Sequence, residues 1–83
     1  MNRQRRHGII YSPIEFLEDL NGNVINIGDY VNHIINKEGT ITKERIGPID
    51  RLYINYNEEN VNYKYLIYIG KKILELSDIE YIL

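Results

Sequence analysis

The sequence predicts an all-β protein: a small barrel of about five short antiparallel strands, preceded by a flexible basic arm. Three observations carry that prediction. The first is the turn chemistry of Asp-Leu-Asn-Gly-Asn-Val-Ile-Asn-Ile-Gly-Asp-Tyr-Val, residues 19–31. Asn21-Gly22 is the dipeptide best able to supply two positive φ angles to a type I′ hairpin turn, and Gly28-Asp29 then redirects the chain into another strand. The second is composition. Sixteen Ile and eight Tyr against no Ala favour a pleated backbone, because β-branched and aromatic side chains lose rotamer freedom in a helix. The third is a period of two in the apolar residues of the second half.

A chain of 83 residues makes one domain, close to the size at which a single core only just offsets chain entropy. It has no cysteine, so neither a disulfide framework nor a thiolate metal site supplements the core. Apolar packing must hold it. No run of about eighteen apolar residues occurs, and the N-terminal charges are not followed by a hydrophobic stretch with a cleavage site. The expectation is therefore a cytoplasmic protein with no membrane contact. Net charge is -2, unevenly spread: Arg3, Arg5 and Arg6 put +3 on the start of the chain, which leaves seven basic and twelve acidic side chains, or -5, on the rest.

In chain order, residues 1–8 lack apolar periodicity and end at Gly8, which reads as the arm; residues 9–83 are the barrel domain. Ile9 to Tyr11 reads as a short strand. Ser12-Pro13-Ile14-Glu15 supports two readings: Ser at N-cap, Pro at N1 and Glu at N3 open a helix to Leu20, or Ile14 to Asp19 is the first arm of the hairpin closed at Asn21-Gly22. The hairpin is favoured, since eight residues make a poor isolated helix. Tyr30 to Ile35 alternates, with Val31, His33 and Ile35 on one face, and Lys37-Glu38-Gly39 turns the chain into Thr40 to Ile46. Gly47-Pro48 breaks the ladder. Leu52, Ile54 and Tyr56 share a face of the next strand, opposite Arg51, Tyr53 and Asn55, and residues 57–60 form a polar loop. Val61, Tyr63, Tyr65, Ile67 and Ile69 make the longest same-face series. Gly70-Lys71 turns into residues 72–76, Ser77 to Glu80 has capping-box spacing for one helical turn, and residues 81–83 can close as a last strand. The expected core is Val31, Ile41, Leu52, Ile54, Ile67, Ile69, Ile79 and Ile82.

Asp19, Asn21, Gly22 and Ile25, then Ile27, Gly28, Asp29 and Val31, then Gly39 and Ile41, and near the end Leu74, Asp78, Ile79 and Glu80, form a pattern that resembles the SH3-like barrels of KOW-type modules and of many small phage and prophage proteins. The likeness spans roughly residues 17–83. It rests on turn and core positions, so it implies a fold and carries no catalytic residue. The opening hairpin is also similar to the barrel of the PhnA-type domain, whose zinc-binding cysteines this chain lacks.

Candidate sites follow from residue chemistry. Asp19-x-Asn21-x-Asn23 begins like a calcium loop, but Val24 stands where glycine is needed and Tyr30 where the bidentate glutamate belongs, so no metal is expected. His7 and His33 are too few and too far apart in sequence for a metal site, and Ser12 and Ser77 sit at cap positions without a nucleophile context. No catalytic residue and no cofactor are expected. Tyrosines are the better candidates: a ring at the rim of an open groove stacks on bases, prolines or methylated amines. Tyr56, Tyr63 and Tyr65 read as core edge. Tyr53 and Tyr68 fall on the opposite faces from the apolar series, and with Tyr30 they are the predicted partner-binding residues.

The function expected is that of a non-catalytic protein-interaction module, such as a small viral protein that docks on a larger assembly or inhibits a host protein. The alternative is nucleic-acid binding, with Arg3, Arg5 and Arg6 on phosphates and Lys37, Lys43, Arg45, Arg51, Lys71 and Lys72 around the barrel, or a structural subunit of a nucleoprotein particle that does both. An acidic body repels phosphate, so that alternative needs one contiguous positive face.

Overall fold

The computed structural model describes residues 9–57 and 62–83, and these are almost entirely antiparallel β structure. The chain runs β1 (Ile9–Ile14), β2 (Phe16–Glu18), β3 (Val24–Asn26), β4 (Val31–Lys37), β5 (Thr40–Ile46), β6 (Arg51–Asn57), β7 (Asn62–Ile69) and β8 (Lys72–Glu75), then a single 3-10 turn (Leu76–Asp78) and β9 (Ile79–Glu80). Among the described residues the strands pair as three sheets, β1-β6-β7-β8, β2-β3 and β5-β4-β9, and their ladders do not join into one closed cylinder. Of the nine strands among the described residues, four, β4 to β7, are seven or eight residues long. No helix among the described residues is long and apolar enough to cross a membrane. The expected arm, residues 1–8, and most of the expected 57–60 loop lie outside the described residues.

The 12–20 segment resolves as strand, not helix. Ile9–Ile14 pairs with β6 along its whole length, so that Pro13 stands opposite Tyr53. A proline without an N–H is tolerated there because β1 is the edge strand of its sheet. The hairpin that follows buries one residue from each strand: Leu17 and Ile25 are directly opposite and both are buried, while their neighbours Phe16, Glu18, Val24 and Asn26 are exposed. Its turn differs from the expected type I′. Asn21 does not take a positive φ; Gly22 alone does, at 84°, and its N–H donates to the Asp19 carbonyl at 3.1 Å while Asp19 N–H donates to Asn23 O at 2.9 Å. This is a type I turn closed by a left-handed glycine, the usual three-residue hairpin loop. The two-residue turn with both φ values positive lies one hairpin later, at Glu38 (53°) and Gly39 (88°), where Lys37 pairs with Thr40.

The core is Leu17, Ile25, Val31, Ile49, Leu52, Ile67, Ile69, Leu74 and Ile79, with Ile14, Ile46, Tyr65, Leu76 and Tyr81 packed against it. Ile41, expected inside, is 60 % exposed. Its strand is an edge strand, and parity places Ile41 with Lys43 and Arg45 on the face away from Val31 and Ile79. Ile54 and Ile82 are half-buried. Ile49, in the expected break, is fully buried because its backbone is paired: its N–H donates to Asp29 O at 3.0 Å and its carbonyl accepts from Gly28 N at 2.8 Å. The C-terminal turn comes slightly earlier than expected. Glu75 is its N-cap, with Glu75 and Asp78 forming the reciprocal capping box, and the last strand is Ile79–Glu80 rather than 81–83.

Candidate interaction face

Alternation along β6 and β7 turns Leu52 and Ile67 into the core and Tyr53 and Tyr68 to the other side. Tyr53 stands opposite Leu66 and Tyr68 opposite Arg51, which makes the two tyrosines diagonal neighbours across the ladder. Their rings meet edge to face, with centroids 5.3 Å apart and planes at 62°. The Arg51 guanidinium lies 5.0 Å from the centre of the Tyr68 ring, within cation–π range. The pair is half-buried, each ring shielding part of the other, rather than exposed as its place opposite the apolar series predicts.

The register extends this face beyond the residues anticipated. Pro13 is level with Tyr53, Tyr11 is opposite Asn55, and Ile73 is opposite Tyr68, so all three share the outer side of the four-stranded sheet with Leu66. Tyr11 and Ile73 are each 58 % exposed. The outer side of this sheet therefore carries an aromatic and aliphatic stripe, crossed at one end by Arg51 and flanked by the Lys64–Glu75 ion pair at 3.3 Å. Tyr11, Pro13 and Ile73 escape a reading by sequence because cross-strand register, not local pattern, aligns them, whereas Leu66 shares the face of Tyr68 by simple alternation along β7.

Tyr30 does not join this stripe. It precedes β4 in the other large sheet, exposed, with the Arg45 guanidinium 5.0 Å from its ring centre. The basic residues proposed for a nucleic acid are likewise divided. Lys43 and Arg45 lie on β5, with Lys43 Nζ 2.7 Å from a Glu80 carboxylate oxygen. Arg51, Lys71 and Lys72 belong to the β1-β6-β7-β8 sheet, Lys71 and Lys72 at its β7–β8 turn and Lys37 at the far end of β4. Arg3, Arg5 and Arg6 lie outside the described residues.

The Asp19 loop is built as a turn. Asp19 Oδ1 accepts from the Asn21 and Asn23 amides at 2.9 and 2.8 Å, and Oδ2 accepts from the Asn23 side chain at 3.1 Å. Burial works to raise the Asp19 pKa, but these hydrogen bonds outweigh it and hold the carboxyl below its ordinary range. His33 is a half-buried residue of β4, opposite Glu44 and Ile79. Among the described residues no group of three or more His, Cys, Asp or Glu is placed to hold a metal ion. Compared with known proteins, the chain matches no family model, no curated protein and no solved structure.

Proposed function

We propose that the protein is a non-catalytic interaction module that binds a protein partner through the outer face of its four-stranded sheet. The observation that carries the reading is the Tyr53–Tyr68 edge-to-face pair under Arg51, on the side of the sheet turned away from the core. Tyrosine and arginine are, with tryptophan, the residues most enriched among energetic anchors of protein interfaces, and apolar groups gathered in one stripe are unusual on a surface that need only face water. The body charge of -5 and the distribution of basic residues over two sheets, two of them stacked on tyrosines and one paired with Glu80, favour a protein over a polyanion.

The test is affinity purification of the tagged chain from its native cell, followed by measurement of the recovered complex with single variants. Tyr53→Ala or Tyr68→Ala should each weaken association by about 2 kcal/mol, roughly 30-fold, while Tyr30→Ala leaves it within about threefold. Recovery of a nucleic acid bound tightly and with sequence preference by a chain lacking residues 2–7 would overturn the proposal.

A further inference from the structure

A concave surface lies elsewhere on the molecule, where the β2–β3 turn, the 3-10 turn and the first half of β7 border a groove of about 680 Å³. Tyr63, Tyr65 and Tyr81 line it over an apolar floor that includes Ile25 and Leu76. Tyr63 and Tyr65 are in edge contact, centroids 5.7 Å apart, and Tyr63 is 58 % exposed although it continues the inward-facing series of β7. The charges around the groove are one-sided. Glu18, Asp19, Glu75 and Glu80 line it against Lys64 as its one basic residue. Lys64 answers Glu75 at 3.3 Å and Lys43, from outside, answers Glu80 at 2.7 Å. Glu18 has no ion pair among the described residues, and Asp19 is held ionised by neutral donors of its own turn. The uncompensated charge is thus -2, concentrated at the β2–β3 end, beside the tyrosines.

We propose that this groove binds an arginine- or lysine-bearing segment of a partner protein, with a cationic head between Glu18, Asp19 and the tyrosine rings and its aliphatic stem along the apolar floor. Each part of the surface matches one part of such a side chain. Ring faces attract a cation, carboxylates supply the charge, and a long methylene stem covers apolar wall while its head stays at the rim. The volume suits several side chains of an extended segment and is far larger than a bare ion needs. Phosphate is repelled by the same charges. This inference does not rest on the outer-face reading, since none of Tyr53, Tyr68 and Arg51 lines the groove and the two surfaces share only the Lys64–Glu75 ion pair at their border.

The experiment titrates the full chain with short end-blocked peptides of alternating arginine and serine, against matched peptides carrying neutral citrulline, followed by fluorescence anisotropy and amide chemical shifts. The arginine peptide should saturate at one site, bind at least about tenfold more tightly than the citrulline peptide at low salt, and shift amides of residues 18–25, 63–65 and 76–81. Glu18→Gln and Tyr63→Ala, both at exposed positions, should each weaken it by about three- to tenfold, and Tyr53→Ala should leave it unchanged. Equal affinity for the citrulline peptide, insensitivity to both groove variants, or shifts confined to other surfaces would overturn the proposal. So would binding that emerges only when residues 2–7 are deleted, since the groove would then belong to the chain's own Arg3, Arg5 and Arg6.

Discussion

Gly47 is where a single side chain would do most harm. A Cβ there would sit 2.9 Å from Asp29 O and 2.9 Å from Tyr30 Cδ2, and the backbone φ of 148° is one that side chains rarely adopt. The backbone oxygen cannot move aside without disturbing the Asp29–Ile49 hydrogen bond at 3.0 Å that buries Ile49. Gly47→Ala should therefore cost about 2 to 3 kcal/mol and lower the melting temperature by roughly ten degrees or more. Gly22 is the contrast: its φ is positive, but a Cβ would meet only the flexible end of Glu18 at 3.7 Å, so Gly22→Ala should cost about 1 kcal/mol. A melting series that ranks Gly22 above Gly47 would contradict this account. Asp19 makes a prediction about acid and one about calcium. Its folded pKa lies below the ordinary 3.8, so its stabilisation is complete above that pH and is lost as pH falls through the lowered folded value. Asp19→Asn should flatten stability against pH in that acid range and nowhere above it. Calcium needs about six to eight oxygen ligands, and no group of three acidic or histidine side chains is gathered here among the described residues, so millimolar calcium should leave the melting point and the amide spectrum of residues 19–30 unchanged; a saturable shift there would show that the turn rearranges to chelate the ion.

Strand parity decides which aliphatic residues matter, and it separates side chains that composition treats alike. Ile67 and Leu52 are paired across β6 and β7 and fully buried, so Ile67→Ala or Leu52→Ala should cost roughly 2 to 5 kcal/mol, enough to unfold much of a domain this small. Ile54→Ala, at a half-buried site, should cost less. Ile41→Ala should change stability by no more than about 0.5 kcal/mol, because that side chain stands on the open side of an edge strand. Denaturant midpoints for these variants provide the check. The same parity explains what was legible beforehand. Where a strand alternates strongly, as in residues 52–56 and 63–69, its two faces could be separated from sequence, and Tyr53 and Tyr68 fell on the outer one. The core face of β5 carries Thr40, Thr42 and Glu44, so alternation there gave no guide and Ile41 was misplaced. Ile49 was missed for a different reason: its burial comes from backbone pairing between two connecting segments, which has no periodic signal. The Asn21-Gly22 turn was located correctly but assigned the wrong geometry, because Asn-Gly also fits a type I turn ending in a left-handed glycine.

At the scale of the whole molecule, the two proposed surfaces differ in charge, and that difference makes them separable. The outer sheet face is aromatic and aliphatic with Arg51 at one end, whereas the groove carries uncompensated carboxylates. The division could not be read from sequence, since Tyr63 and Tyr65 belong to the same alternating series as the core residues Ile67 and Ile69, and of the two Tyr65 packs against the core while Tyr63 is exposed. Association through the outer face should depend weakly on salt, because burial of rings and aliphatic groups dominates it. Association through the groove should weaken as ionic strength rises from about 0.01 to 0.15 M, as the screening length falls from about 30 to about 8 Å. A basic chain end adds a third signature. If Arg3, Arg5 and Arg6 contribute phosphate contacts, a double-stranded DNA titration should show a log–log salt slope no steeper than about -3, abolished by deleting residues 2–7. Measuring the three salt dependences on one preparation tests the assignment as a whole. For a protein that acts through its outer face, the partner's affinity should be the least salt-sensitive of the three and the only one lost in Tyr53→Ala; a partner affinity that falls with salt as steeply as the DNA titration would place the contact on the charged surfaces instead.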